Sequence, residues 1–161
     1  MAVNLSKGQK ISLDKGMTLA LVGLGWDTNR YSGGAEFDLD ASAFLLGANG
    51  QVRKDEDFIF YGNLKSADGS VTHTGDNRTG EGEGDDEVLY IDFTKVPADV
   101  ERIAITVTIY EAQERGQNFG QVSNAYVRLA RRSSENDSVG TEELRYDLGE
   151  DFSVETALVV C

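Results

Sequence analysis

Residues 102–110 read RIAITVTIY, and their bulky aliphatic side chains recur at every second position. In an extended chain Ile103, Ile105, Val107 and Ile109 fall on one side, and Ala104, Thr106, Thr108 and Tyr110 on the other. A period of two favours a strand over a helix. The same period runs through EVLYIDF (87–93), with Leu89, Ile91 and Phe93 together, and NAYVRLA (124–130), with Ala125, Val127 and Leu129 together. Further strands are expected in TLALVGL (18–24), EFDLDASAFLL (36–46), DFIFYG (57–62), ELRYDL (143–148) and ETALVV (155–160). The chain has 18 glycines and a single proline, Pro97, and no long amphipathic helix separates these segments. The expected fold is therefore all-β, an antiparallel β-sandwich with long acidic loops and little helix. One helical turn is expected within 111–122, and 131–143, including Arg131 and Arg132, reads as a solvated loop. Trp26 is expected as a core or loop anchor.

At 161 residues the chain is sized for one domain, 1–161, with a sizeable core. It stops directly after an apolar strand with no closing turn, as a truncated chain or a strand whose natural partner lies further on would. The net charge of -13 repels nucleic-acid phosphate and anionic lipid and favours cations or basic partners. No window approaches 18 apolar residues, so no membrane-inserted helix is expected. The polar opening MAVNLSKGQKISLDKG lacks a signal-peptide core, and the single cysteine, Cys161, permits no internal disulfide. A cytoplasmic location is expected.

The charge is concentrated in GDNRTGEGEGDDE, residues 75–87, where Asp76, Glu81, Glu83, Asp85, Asp86 and Glu87 stand against Arg78 alone. Gly75, Gly80, Gly82 and Gly84 allow unusual turns that let side chains and carbonyls converge. Converging hard oxygens suit Ca²⁺, which takes roughly 6–8 oxygen ligands in irregular geometry. Zinc is disfavoured, because His73 is the only imidazole and Cys161 the only thiol. In FDLDAS, Asp38 and Asp40 share one face of a strand, about 7 Å apart along it, facing whatever loop folds over them. Asp27, on the turn GWDTN, is a further candidate. An EF-hand is excluded, since counting from Asp38 the sixth position is Ala43 and the twelfth Asn49. A bland alternative is a solvated acidic segment.

GDNRTGEGEGDDE, preceded by LGWDTN and FDLDAS, resembles the signature of the TerD family of bacterial tellurite-resistance and stress-response proteins. The resemblance extends to LSKGQKISL (5–13), FGQVSNAYVRL (119–129) and RYDLGED (145–151). It implies a β-sandwich that binds about two Ca²⁺ side by side, among other proteins of a tellurite-resistance operon, and, since family members continue into a further strand pair, a domain 1–161 shortened at its C-terminus; the leading reading is a calcium-binding module without enzymatic activity. The ligands it implies are Asp76, Asn77, Glu83, Asp85 and Asp86, with Asp38 and Asp40 facing them. Glu81 and Glu87 are ligands or outer-shell charges, and Gly80 or Gly82 offers a carbonyl. A rival reading is a metal-dependent hydrolase that uses the acidic cluster, with Glu83 as base on a metal-bound water. It lacks a poised His, Lys or Ser and any nucleophile elbow. Direct capture of tellurite fits poorly, because it calls for thiols and the surface is negative.

Overall fold

The alternation read from the sequence becomes strand register in three dimensions. The computed structural model describes residues 2–30, 33–151 and 155–159. Among these residues ten strands run in the order β1 (Val3–Asn4), β2 (Leu19–Gly25), β3 (Leu39–Leu46), β4 (Phe58–Ile59), β5 (Val71–His73), β6 (Glu87–Asp92), β7 (Arg102–Ile109), β8 (Tyr126–Arg131), β9 (Thr141–Asp147) and β10 (Ala157–Val159). They form a six-stranded sheet, β1-β9-β8-β2-β6-β5, and a four-stranded sheet, β10-β7-β3-β4.

In β3 and β7 the pairs Ala41–Val107, Ala43–Ile105 and Leu45–Ile103 turn towards the core, because directly opposed residues share a face. Val22 and Leu24 of β2, Leu89 and Ile91 of β6, and Val127 and Leu129 of β8 belong to the same buried cluster. Each fully buried leucine there, such as Leu24 or Leu45, contributes about 1.5–3 kcal/mol relative to exposure. Trp26 is buried with them, and its indole N–H donates to the Phe37 carbonyl at 2.9 Å.

All eight expected strands are present, and the structure adds β1 and β5, which are too short for a periodic signal. β1 pairs with β9 in parallel, a departure from the antiparallel expectation. The segment expected over 57–62 is cut to two residues, because Phe60 and Asn63 exchange backbone hydrogen bonds and turn the chain. Phe93, expected inward on its strand, sits on a 3-10 turn and is exposed; Asp92 caps that turn by accepting from Thr94 N–H at 3.0 Å. The helical turn expected within 111–122 is Ala112–Arg115, followed by a 3-10 turn at Phe119–Gln121. Arg131 and Arg132 do not belong to a solvated loop. Arg131 ends β8 and donates to Glu143 and Asp14, and buried Arg132 stacks over the Tyr90 ring at 3.8 Å. The final strand covers Ala157–Val159, and Val160 and Cys161 lie outside the described residues. Among the described residues, no helix is long and apolar enough to cross a membrane.

Candidate metal centre

The acidic loop connects β5 to β6 and is therefore held at both ends by paired strands. Each of its four glycines has a positive φ, as the turn reading requires. Gly80 is the tightest of them. At φ +74° it packs against Trp26, where an added Cβ would lie 2.5 Å from the indole nitrogen and 2.9 Å from the backbone carbonyl.

The loop brings Asp76 to the two aspartates of the β3 segment. Carboxylate oxygens of Asp38, Asp40 and Asp76 lie within 4.8 Å of one another. Asp38 and Asp40 face the loop as expected but are more deeply covered than surface carboxylates, at 4% and 6% exposure, whereas Asp76 is exposed. Burial, then the charge of Asp76, raises the Asp38 carboxyl above its usual range. Burial, followed by Glu87, Asp38 and Asp76, pushes Asp40 up to about 7. Arg78 approaches Asp38 at 3.7 Å from a largely exposed position, which makes it a screened counter-charge. Asp38 Oδ1 is buried with no hydrogen-bond partner. An unsatisfied carboxylate oxygen beside two further carboxylates is the donor set of a hard divalent cation, and these residues fit Ca²⁺.

Behind this cluster lies Glu87, the first residue of β6 and fully buried. Its Oε2 accepts from Ala41 N–H at 2.8 Å and its Oε1 from Asn77 N–H at 3.4 Å, which ties β3 to the loop. His73 Nε2 lies 3.4 Å from Glu87, within ion-pair range although not in hydrogen-bond geometry. His73 Nδ1 accepts from Gly75 N–H at 3.0 Å, so the ring proton belongs on Nε2, facing the carboxylate. Burial raises the Glu87 carboxyl, opposed chiefly by His73.

The remaining candidates have other positions. Asn77 is the staple of the loop: its Oδ1 accepts from Thr79 and Gly80 N–H, and its Nδ2 donates to the Glu81 carbonyl and to Asp86 Oδ1 at 3.2 Å each. Asp86 also accepts from Trp26 N–H at 2.8 Å, and burial raises its carboxyl. Asp85 turns away to the outer face of the six-stranded sheet. There Arg128 grips it through Nε and Nη2, at 2.6 Å for the shortest contact, and the Tyr126 hydroxyl donates to it at 3.0 Å. It fills the space above Gly23, where a Cβ would lie 2.4 Å from its carboxyl carbon. Glu83 is exposed at the tip of the loop. Asp27 accepts from Asn124 Nδ2 at 2.8 Å, apart from the Asp38 cluster.

The central place of Glu87 was legible in the sequence, because the parity that sends Leu89 and Ile91 inward sends Glu87 inward too. The pairing of Asp85 with Arg128 had no sequence signal, since 43 residues separate them.

The TerD domain family matches residues 1–161. The chain belongs to the TerD family. The tellurium resistance protein TerD of an Alcaligenes species is 62% identical to this TerD-family chain over 162 residues, covering 99% of the chain and 81% of that protein. General stress protein 16U of Bacillus subtilis (strain 168) is 51% identical, with 99% and 81% covered. A crystal structure of a TerD homologue from Streptomyces coelicolor A3(2) matches with a TM-score of 0.69 at 23% identity, covering 88% of the chain and 78% of that structure. That likeness bears on the two-sheet fold. The chain thus belongs to a family whose members include tellurium-resistance and general stress proteins.

Proposed function

We propose that this TerD-family chain is a cytoplasmic, non-enzymatic calcium-binding protein whose acidic loop is ordered by about two Ca²⁺ and then presents a surface to other tellurite-resistance proteins. The observation that carries the reading is the group Asp38, Asp40 and Asp76, two of them buried and one with an unpartnered oxygen. Left as a metal-free trio of ionised carboxylates, the group is self-repelling; a divalent cation removes that cost and satisfies Asp38 Oδ1. One ion is assigned to these three residues. A second draws on Asp86, which Asn77 contacts at 3.2 Å, and on loop carbonyls such as that of Gly80 or Gly82. Two ions offset four of the thirteen net negative charges.

Binding is favoured over metal-assisted hydrolysis by where the acids stand. Asp85 is tied to Arg128, and Glu83, the candidate base, projects from the exposed tip of the loop, outside the Asp38 group. Calorimetric titration of chelator-treated protein with Ca²⁺ tests the reading and yields stoichiometry and affinity together. Saturable binding that Asp38→Asn and Asp40→Asn each weaken is the expected result. Absence of binding by the folded apo protein sinks the reading, and turnover of phosphoesters under Ca²⁺ or Mg²⁺ favours the hydrolase instead.

A further inference from the structure

Arg78 is the one basic residue in the acidic loop, GDNRTGEGEGDDE at 75–87. The turn that carries it is fixed on both sides. Before it, Asn77 N–H donates to Glu87 Oε1 at 3.4 Å, and after it Thr79 and Gly80 N–H donate to Asn77 Oδ1 at 3.1 and 3.0 Å. The backbone at Arg78 is thereby held next to Asp76, whereas the side chain is 69% exposed. From there Nε reaches Asp38 Oδ2 at 3.7 Å.

That contact differs from the pairs that other covered carboxylates of this chain make with arginine. Arg53 grips Asp57 through Nε and Nη2 at 2.8 and 2.9 Å, and Arg128 grips Asp85 through the same two atoms at 2.8 and 2.6 Å. Asp57 and Asp85 are as deeply covered as Asp38, and each is held on both oxygens. Arg78 instead makes a single contact, longer than a hydrogen bond, and Asp38 Oδ1 stays buried with no hydrogen-bond partner. Arg115, the other cation near Asp38, is engaged elsewhere: it donates to the Glu36 carbonyl at 3.1 Å and pairs with Glu111 at 3.5 Å.

We infer that Arg78 is the affinity-setting residue of the metal centre, a displaceable counter-ion that stands in for the cation while the site is empty and opposes its entry. The inference rests on the calcium reading of Asp38, Asp40 and Asp76. A divalent cation entering that group meets Arg78 in one of two ways. If the guanidinium stays, the two positive charges repel; if it swings into solvent, its ion pair with Asp38 is lost. Both routes lower the affinity, and neither moves the backbone, because Asn77 holds the turn. A bidentate arginine in the same place would close the site, as Arg128 closes Asp85. A loose and exposed one leaves calcium free to enter and to leave. Since the contact is single and long, the charge of Arg78 sets the effect and the shape of the guanidinium does not.

Calorimetric Ca²⁺ titration of the chelator-treated chain at low ionic strength, beside thermal melts in EDTA, tests this. Arg78→Gln is expected to bind Ca²⁺ roughly three- to tenfold more tightly than the wild type, and to melt lower in EDTA because the carboxylates lose their stand-in. Arg78→Lys keeps the charge and is expected to stay within about twofold of the wild type. Lys54→Gln removes the same unit of charge from an exposed position in the connection between β3 and β4, and is expected to leave the affinity unchanged. In about 1 M salt, where the Debye length is about 3 Å, the gap between wild type and Arg78→Gln is expected to close. An Arg78→Gln variant that binds no more tightly than the wild type overturns the inference and leaves the calcium site standing. So does an Arg78→Lys variant that binds as tightly as Arg78→Gln. A wild type that binds no Ca²⁺ removes the calcium reading itself, and the inference with it.

Discussion

At the scale of single residues, Asp40 carries the largest electrostatic load, because burial and three neighbouring carboxylates all act on it in one direction. Asp40→Asn keeps the shape of the side chain and removes the charge. In chelator above neutral pH the variant is expected to be more stable than its parent by roughly 1–3 kcal/mol, and its calcium-induced rise in melting temperature is expected to shrink. Thermal melts with and without Ca²⁺ check both halves, and a variant with an undiminished calcium response removes Asp40 from the ligand set. Arg128 makes the opposite case. Its side chain and that of Asp85 are both largely covered, so Arg128→Ala strands a carboxylate without its counter-charge. The expected cost is about 3 kcal/mol, or roughly 6–12 °C in a domain of this size, with calcium stoichiometry unchanged. A loss of bound calcium in that variant would instead connect Asp85 to the metal.

At the scale of elements, the β5–β6 loop works because glycine conformations and side-chain staples agree on one path. Asn77 fastens the loop to itself and to Asp86, and Asp86 fastens it to Trp26 at the end of β2. Gly80→Ala tests this without altering any carboxylate. The added methyl group meets positive φ and the Trp26 indole together, so a loss of roughly 1–3 kcal/mol is expected. Because the three carboxylates converge only if the loop keeps its path, calcium affinity is expected to fall severalfold in the same variant. Titration calorimetry beside a thermal melt reads both; a melt that drops while affinity holds would show that the cluster does not depend on the turn.

For the whole molecule, the raised carboxyls set the pH dependence of the metal-free state. Asp38, Asp40, Asp86 and Glu87 are all shifted upward, Asp40 to about 7. Between their unfolded values and these raised ones, the folded state binds more protons than the unfolded state, so stability falls as pH rises. The stabilisation is complete below about pH 4 and, for Asp40, is lost by about pH 7. Groups shifted downward, such as Asp57 beside Arg53 and Asp137 at about 2, act only in the acid range and do not reverse this slope. Melts in EDTA from pH 5 to pH 8 are therefore expected to decline. Calcium competes with these protons, so its stabilising effect is expected to grow with pH; at about 100 times the dissociation constant it reaches about 2.7 kcal/mol per site. Parallel curves with and without calcium would contradict the linkage.

What the sequence determined by itself is local in origin. Side-chain period placed eight strands, glycine chemistry placed the turns of the acidic loop, and the two-residue spacing of Asp38 and Asp40 put both on one face. Each of these follows from backbone geometry within a few residues. The parity of EVLYID even contained the burial of Glu87, which the charge of the residue obscured. Only the tertiary structure decided which acids meet. Asp76 joins Asp38 and Asp40 while Asp85 leaves for Arg128, because loop closure and sheet order bring together residues about 40 positions apart. The same holds for the outer faces of the two sheets. Both alternate in sequence, yet arginines from β8 and β9 and the segment after β8 lie over the rings of one, while phenylalanines stack on each other over the other. Sheet order is a property of the packed chain, and no local pattern encodes it.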